Sequence, residues 1–380
     1  MWYQIVHYYE EVLRTLVATG RVTWLPHTEY GGVTKGSQGG PCQVTTVYLS
    51  STGTTATLTS LLQDGLKTTV RIKRKLVDCT AMETRVPSTQ PPNYKVEEGV
   101  SFIPINGLTK VERPWKCYTV VGAGKTGLDA LLYLLDQGVR SESLRWIVSN
   151  DCWYLNRDAI PREGGFAGPK ACQAVMEANN LKEIYKNYEQ VGLFMRVDNK
   201  VEPSKMRAAT VSESEMEKIR TIKNVIRKGR IERISGDKII FMNGEELSAD
   251  PATLYVDCSA SGTMFTRPLE PIFQDSKLVL QMVQLPAPTN SGAIIAGLEL
   301  ISNDNAWKNN VVEPHGAPHE LEDWFLDFSV ALRNFAKIKE SLGFWWMWNR
   351  RLCAVNLTEV VGRGMATFIG GNCFFSCSSS

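Results

Sequence analysis

Apolar positions recur at helical spacing over residues 1–19, where Ile5, Tyr8, Tyr9, Val12, Leu13 and Leu16 fall on one face and Gly20 marks the stop. Behind that helix the period shortens. Residues 21–25, 44–49 and 70–75 read as short strands, with a glycine-rich loop over 30–40 between the first two. The segment Leu76-Val77-Asp78-Cys79-Thr80-Ala81 is an apolar strand running into an Asp-Cys-Thr turn, and a proline-rich link over 86–92 follows it.

Cys117-Tyr118-Thr119-Val120-Val121 is uncharged and β-prone, the pattern of a strand buried on both faces. It runs directly into Gly122-Ala123-Gly124-Lys125-Thr126-Gly127, a complete G-x-G-x-x-G. Leu128, Leu131, Leu132 and Leu135 then share a helical face that stops at Gly138, and residues 144–148 form a second strand. Strand, glycine turn, helix and second strand together predict a Rossmann-type βαβ unit whose turn holds the diphosphate of a dinucleotide. The three glycines serve different ends: Gly122 allows the tight turn, Gly124 the close approach of the diphosphate, and Gly127 close helix–strand packing. The helix N-terminus adds its N–H groups and the positive end of its dipole. Gly124-Lys125-Thr126 also matches the end of a P-loop, but where that motif requires its first glycine the chain has Thr119, inside the strand.

Ser149, Asn150 and Asp151 follow the second strand. Asp151 is placed to accept the ribose hydroxyls of NAD, whereas Ser149 and Asn150, with Arg157 nearby, are equally placed for the 2′-phosphate of NADP; both readings stay open. The expected cofactor-binding set is Gly122, Ala123, Gly124, Lys125, Thr126, Gly127, Ser149, Asn150 and Asp151.

Downstream, residues 150–227 read as a polar, partly helical insertion. Within it Ser212 and Glu215 make a capping box that opens a helix through Met216, Ile219, Ile222 and Ile226. Residues 230–234, 238–242 and 246–247 predict a β-meander turning at Ser235-Gly236-Asp237 and Asn243-Gly244. The meander feeds Tyr255-Val256-Asp257-Cys258-Ser259-Ala260, which echoes residues 76–81: apolar strand, Asp-Cys, a small hydroxyl residue, Ala. Residues 276–300 read as strand again and 320–342 as helix; the aromatic cluster at 344–348 reads as core packing, and 377–380 as a low-complexity tail.

A length of 380 residues gives room for two or three domains. A net charge of +2 and interrupted basic runs at 71–75 and 227–233 argue against nucleic acid or an anionic membrane as partner. The nine cysteines are odd in number and lack a Cys-x-x-Cys, which argues against a disulfide framework. Cys373 and Cys377 lack the further ligands of a zinc site, and Pro318 breaks the helical spacing of His315 and His319, so no metal is expected. With no signal-peptide pattern and no sufficiently long apolar stretch, a cytoplasmic location is expected. No Ser/His/Asp grouping, carboxylate pair or redox dithiol stands out, so catalytic residues remain unassigned. Hydride transfer needs none, because the cofactor carries the chemistry.

On the glycine turn, the meander and the two Asp-Cys segments, the chain resembles two-dinucleotide flavoproteins, in particular flavin monooxygenase-like FAD/NAD(P)-binding proteins. The similarity spans roughly residues 21–300 and is specific around 121–135 and 146–157. It implies an α/β architecture in which a Rossmann-type NAD(P) domain, 115–262, is inserted into an FAD-type domain. Residues 1–114 would form the first part of that FAD-type domain, and 263–380 its return plus a helical C-terminal segment. Asp78-Cys79-Thr80-Ala81 and Asp257-Cys258-Ser259-Ala260 stand where such proteins carry Ala-Thr-Gly-type motifs, with different wording. The implied activity is NAD(P)-dependent oxidation or reduction of a small molecule, with NADP or NAD as cofactor and FAD as the second.

The FAD fingerprint itself is missing. Gly31-Gly32 and Gly39-Gly40 lack a preceding strand and a following apolar helix, and in Val361-Gly362-Arg363-Gly364 the third glycine is replaced by Thr367. The expectation is an incomplete first domain that holds FAD weakly and leaves an edge for a partner chain to cover. Natural loss, a truncated gene model and FAD supplied in trans stay open, as does a non-catalytic dinucleotide-binding remnant acting as sensor or partner-regulating module.

Overall fold

The computed structural model describes residues 2–30, 47–50, 53–62, 66–81, 86–159, 168–260, 268–285, 288–343 and 346. They fall into two compact units, residues 1–77 with 275–278 and residues 78–274 with 279–380. The second takes in the expected 115–262 span.

The first unit opens with helix α1 (Trp2–Ala18), which Gly20 ends at φ 68°. Strands β1 (Thr28–Tyr30), β2 (Val47–Ser50), β3 (Gly53–Ser60) and β4 (Lys67–Ile72) follow, all paired antiparallel. The threonine-rich β3 is the common partner: β4 pairs along most of it, β2 and β1 towards its two ends. Residues 21–25 are not a strand, contrary to expectation. Val22, Trp24 and Leu25 are β-prone but exposed, and the ladder begins only beyond Pro26, which has no N–H to donate. Strand β5 (Leu76–Asp78) opens the first Asp-Cys segment.

The second unit is built on a parallel sheet. Its strands in chain order are β6 (Lys95–Val96), β7 (Phe102–Pro104), β8 (Cys117–Val121), β9 (Leu144–Ile147), β10 (Cys152–Asn156), β11 (Phe194–Met195), β12 (Lys205–Val211) and β13 (Val225–Ile226). The meander β14 (Ile231–Ile234), β15 (Lys238–Phe241) and β16 (Glu246–Ser248) leads into β17 (Thr253–Asp257). Helix α2 (Lys125–Asp136) joins β8 to β9, while α3 (Pro169–Met176), α4 (Leu181–Gln190) and α5 (Glu213–Arg220) lie between β10 and β13. The main sheet runs β13-β9-β8-β17-β7, and every neighbour pair in it is parallel. This is a mixed α/β fold of Rossmann type, with β8 at its centre.

Alternation along β8 assigns its two faces. Val120 packs with Leu128, Leu131 and Val256 under α2, whereas Val121 packs with Ile147, Tyr255, Ile234 and Phe241 towards the meander. A strand covered on both faces has no solvent-facing polar row, which is why 117–121 shows no alternation; even Thr119 is fully buried. The meander turns where expected, with Gly244 at φ 83°, and gains a parallel partner in β6 through Arg233↔Lys95 and Ile234↔Val96.

Three expectations are corrected. Residues 150–227 are no polar insertion, since β10 is buried throughout and, with β11 and β12, forms a second sheet. That sheet packs Trp153, Tyr185, Tyr188, Phe194 and Trp324 into one aromatic core, Trp153 and Tyr185 stacking at 5.5 Å. The helix begun by Ser212 stops at Arg220, and Ile226 belongs to β13. Among the described residues of 276–300, β18 (Lys277–Val279) is the one strand; residues 288–301 form helix α6 (Pro288–Ile301). Ile294, Ile295 and Leu298 of α6 are buried, but its exposed face carries Ala293, Ala296, Leu300 and Ile301, so no polar stripe marks the 3.6-residue period.

The capping box is present in full. Ser212 Oγ accepts the Glu215 N–H at 3.2 Å, and Glu215 accepts the Ser212 N–H at 2.8 Å. Ser212→Ala is expected to cost about 1 kcal/mol through the lost acceptor. A lowered urea midpoint with unchanged slope would register it, and an unmoved midpoint would show that α5 does not depend on this cap.

Helices α7 (Asn305–Val311) and α8 (Leu321–Leu342) complete the helical C-terminal segment. His315 and His319 lie in the non-helical link between them, as Pro318 requires. No helix among the described residues is long and apolar enough to cross a membrane. None of their His, Cys, Asp and Glu groupings fits a metal ion. Gly31-Gly32, Gly39-Gly40, residues 361–364 and 377–380, and Cys373 lie outside the described residues, as does the 344–348 cluster apart from Trp346.

Candidate functional site: the glycine turn at the sheet's carboxyl edge

From β8 the chain crosses through α2 to β9 and onward to β13, then returns to β17 on the other side of β8. The carboxyl ends of β8 and β17 therefore form the switch point where open α/β sheets bind their ligands. The glycine turn sits there. The Gly122 N–H donates to Ile147 O at 3.0 Å and the Cys258 N–H to Val121 O at 2.8 Å, which ties the turn to strands on both sides.

The three glycines have different reasons to be glycine. Gly122 adopts φ +122°, and a Cβ on it would lie 2.3 Å from Cys258 O. Gly127 is in the first turn of α2, and its Cβ would lie 2.2 Å from Gly122 O. Both are required by backbone packed against backbone. Gly124 is not: at φ −80°, ψ −179° it uses extended backbone open to any residue, and its Cβ would meet nothing within 4 Å.

The carbonyls of the turn are drawn inward. Trp146 Nε1 donates to Gly122 O at 2.8 Å, and the Tyr154 hydroxyl to Ala123 O at 2.8 Å. Complete burial pushes the Tyr154 pKa well above the usual phenol value, so this hydroxyl remains a donor. Gly124 is the N-cap of α2 and offers no side-chain cap to the N–H groups that open the helix. Lys125 pairs with Asp129 one turn along α2, Thr126 is exposed and Ala123 is buried.

Of the residues expected after the second strand, Ser149 is exposed and Asn150 half-buried. Asp151 is engaged: Arg227 Nε and Nη2 reach both its carboxylate oxygens at 2.9 to 3.2 Å. Arg157, expected near a phosphate, pairs instead with Glu215 at 3.1 Å. Arg227 follows β13 and Asp151 follows β9, the strand beside it, so the pair closes the sheet edge two strands from the glycine turn.

The internal echo has a local chemical cause. Asp257 Oδ1 accepts from Ser259 N at 2.9 Å and Ser259 Oγ at 2.6 Å; Asp78 Oδ1 accepts from Thr80 N at 2.9 Å and Thr80 Oγ1 at 2.7 Å. Each is an aspartate turn holding the chain as it leaves a strand. At Asp257 the Tyr94 hydroxyl adds a third bond at 3.1 Å, and a cavity of about 50 Å³ lies between this turn and Pro87, Gln90 and Asn93.

No family model matches the chain. Uncharacterised proteins of Mycobacterium tuberculosis and Mycobacterium bovis are 32% identical to it over 341 residues, covering 88% of this chain and 58% of theirs. The chain thus spans little more than half the length of the curated relatives it matches. Among solved structures, Tmm of Pelagibacter sp. strain HTCC7211 aligns with a TM-score of 0.39 and 10% identity, over 83% of this chain and 59% of its own. An ornithine N-hydroxylase of Kutzneria sp. 744, solved with reduced FAD, NADP+ and L-ornithine, aligns at 0.32 and 14%, over 58% and 51%. Both likenesses are partial, and the Rossmann assignment rests on this chain's own strand order.

Sequence reading missed four contributors to the site: Trp146 and Tyr154, which turn the carbonyls inward, Arg227, which engages Asp151, and Cys258, whose backbone seats Gly122. Their roles depend on which strands become neighbours, and no local motif marks them.

Proposed function

We propose that the glycine turn binds the diphosphate of a nicotinamide dinucleotide and that the chain is an NAD(P)-dependent oxidoreductase of the flavin monooxygenase-like kind. Gly124 is the observation that supports this most. Its backbone angles do not call for glycine and, among the described residues, a Cβ there would meet nothing within 4 Å, so beyond its place as the N-cap of α2 the glycine leaves room for close approach of a ligand. The surroundings fit an anionic group: the uncapped opening N–H groups of α2, the positive end of its dipole, and carbonyls held inward by Trp146 and Tyr154. A bound nicotinamide would supply hydride chemistry. The residues of the turn bind and orient, with Gly122 and Gly127 fixing it against β17.

Calorimetric titration of the purified chain with NADP and NAD tests the reading. Saturable binding of at least one is expected, and heats indistinguishable from dilution for both would end it. FAD would need a diphosphate turn of its own, and the sequence holds one complete G-x-G-x-x-G. The purified chain is accordingly expected to carry well under one equivalent of flavin; visible absorbance of a stoichiometric flavoprotein would contradict this.

A further inference from the structure

Recognition of an unphosphorylated ribose at the end of the second Rossmann strand requires a carboxylate free to accept from the sugar hydroxyls. Asp151 holds that place, but its oxygens already accept from Arg227 Nε at 2.9 and 3.2 Å and from Nη2 at 3.1 Å. The pair is well shielded, with side chains 14% and 27% exposed. Charge-assisted bonds in such a fork are stronger than those a neutral hydroxyl would offer in exchange, and breaking them would strand the guanidinium. Nη1 is left on the side of the fork away from Asp151. Arg227 also lines an open cleft of about 490 Å³ along edge strand β13, with Asp198, Asn199, Arg220 and Lys223. Cations outnumber carboxylates at this lip even with Asp151 counted, which suits a dianion better than a neutral sugar.

We propose that Asp151 is a positioning residue rather than a ribose ligand, and that it aims Arg227 at the 2′-phosphate of NADP, making the site selective for NADP over NAD. This rests on the reading that the glycine turn binds a nicotinamide dinucleotide. On the wild-type chain, titration with NADP, NAD, adenosine 2′,5′-bisphosphate and AMP is expected to show each 2′-phosphorylated ligand binding about tenfold tighter or more than its plain counterpart. Arg227→Ala should cost NADP about tenfold and leave NAD within about twofold. Asp151→Asn should also weaken NADP selectively, whereas a true ribose ligand would make NAD the ligand that suffers. Equal affinities for the two dinucleotides, tighter NAD, or selective loss of NAD in Asp151→Asn overturns the proposal while the glycine-turn reading stands. Binding of neither dinucleotide by the wild-type chain removes both. The wild-type comparison requires no variant to fold.

Discussion

Gly127→Ala is expected to destabilise the second unit by about 3 kcal/mol or more. On an exposed helix the same change would stabilise by up to about 1 kcal/mol, since alanine is the better helix former. The sign reverses here because the new methyl would sit 2.2 Å from Gly122 O and 3.9 Å from Cys258 Cβ. The carbonyl cannot swing aside cheaply. It accepts Trp146 Nε1 at 2.8 Å, and Trp146 is buried in the core. Relief requires either lifting α2 off β8, which opens the contacts of Leu128 and Leu131, or leaving an indole N–H unpaired in the interior. Chemical denaturation followed by tryptophan fluorescence would measure the loss. Gly236→Ala is the control, because a Cβ there meets nothing within 4 Å, and it should stay within about 0.5 kcal/mol of wild type. A Gly127→Ala protein as stable as wild type would mean that helix and strand are not packed as closely as described.

Gly124→Val separates ligand binding from folding. The backbone angles suit valine and the site has room for its Cβ, so stability should fall by no more than about 1 kcal/mol, the cost of a poorer N-cap. Affinity should suffer far more. The added carbons would occupy the space through which diphosphate oxygens reach the first N–H groups of α2, and a loss of about tenfold or more is expected for NADP and NAD alike, about 1.4 kcal/mol. Calorimetry gives the affinity and a melting curve the stability, on the same sample. Unchanged affinity in a folded Gly124→Val protein would place the ligand elsewhere. A collapse in stability would mean that Gly124 serves packing, as Gly122 and Gly127 do.

The contrast between these glycines shows how much of the site was legible in the chain itself. The G-x-G-x-x-G between an apolar strand and a leucine-faced helix announces a turn of known shape, because strand burial and helix amphipathicity are periodic and short-range. The capping box at Ser212 and Glu215, the stops at Gly20 and Gly138 and the meander turns were readable for the same reason. Each is an interaction completed within a few residues. The motif also suggested different ends for its three glycines, but the partner that holds Gly122 was not readable: Cys258 O, well over a hundred residues away, lies against it.

The misreadings share that cause. Residues 152–156 form a buried strand only because β11 and β12 flank it and the aromatic rings of α4 and α8 cover it; taken alone, the segment is embedded in polar sequence. Residues 288–301 carry too many apolar positions to reveal a helical period. Asp151 matched the place of an NAD-selecting carboxylate, yet the neighbour that occupies it, Arg227, arrives through parallel pairing of β9 with β13. Sequence alone therefore determined the local units and the strand–turn–helix form of the glycine motif, because backbone sterics, helix capping and hydrophobic period act between near neighbours. The tertiary structure decided the strand order, the aromatic second core and the pairing of Asp151, because burial and charge pairing depend on residues that only the fold brings together.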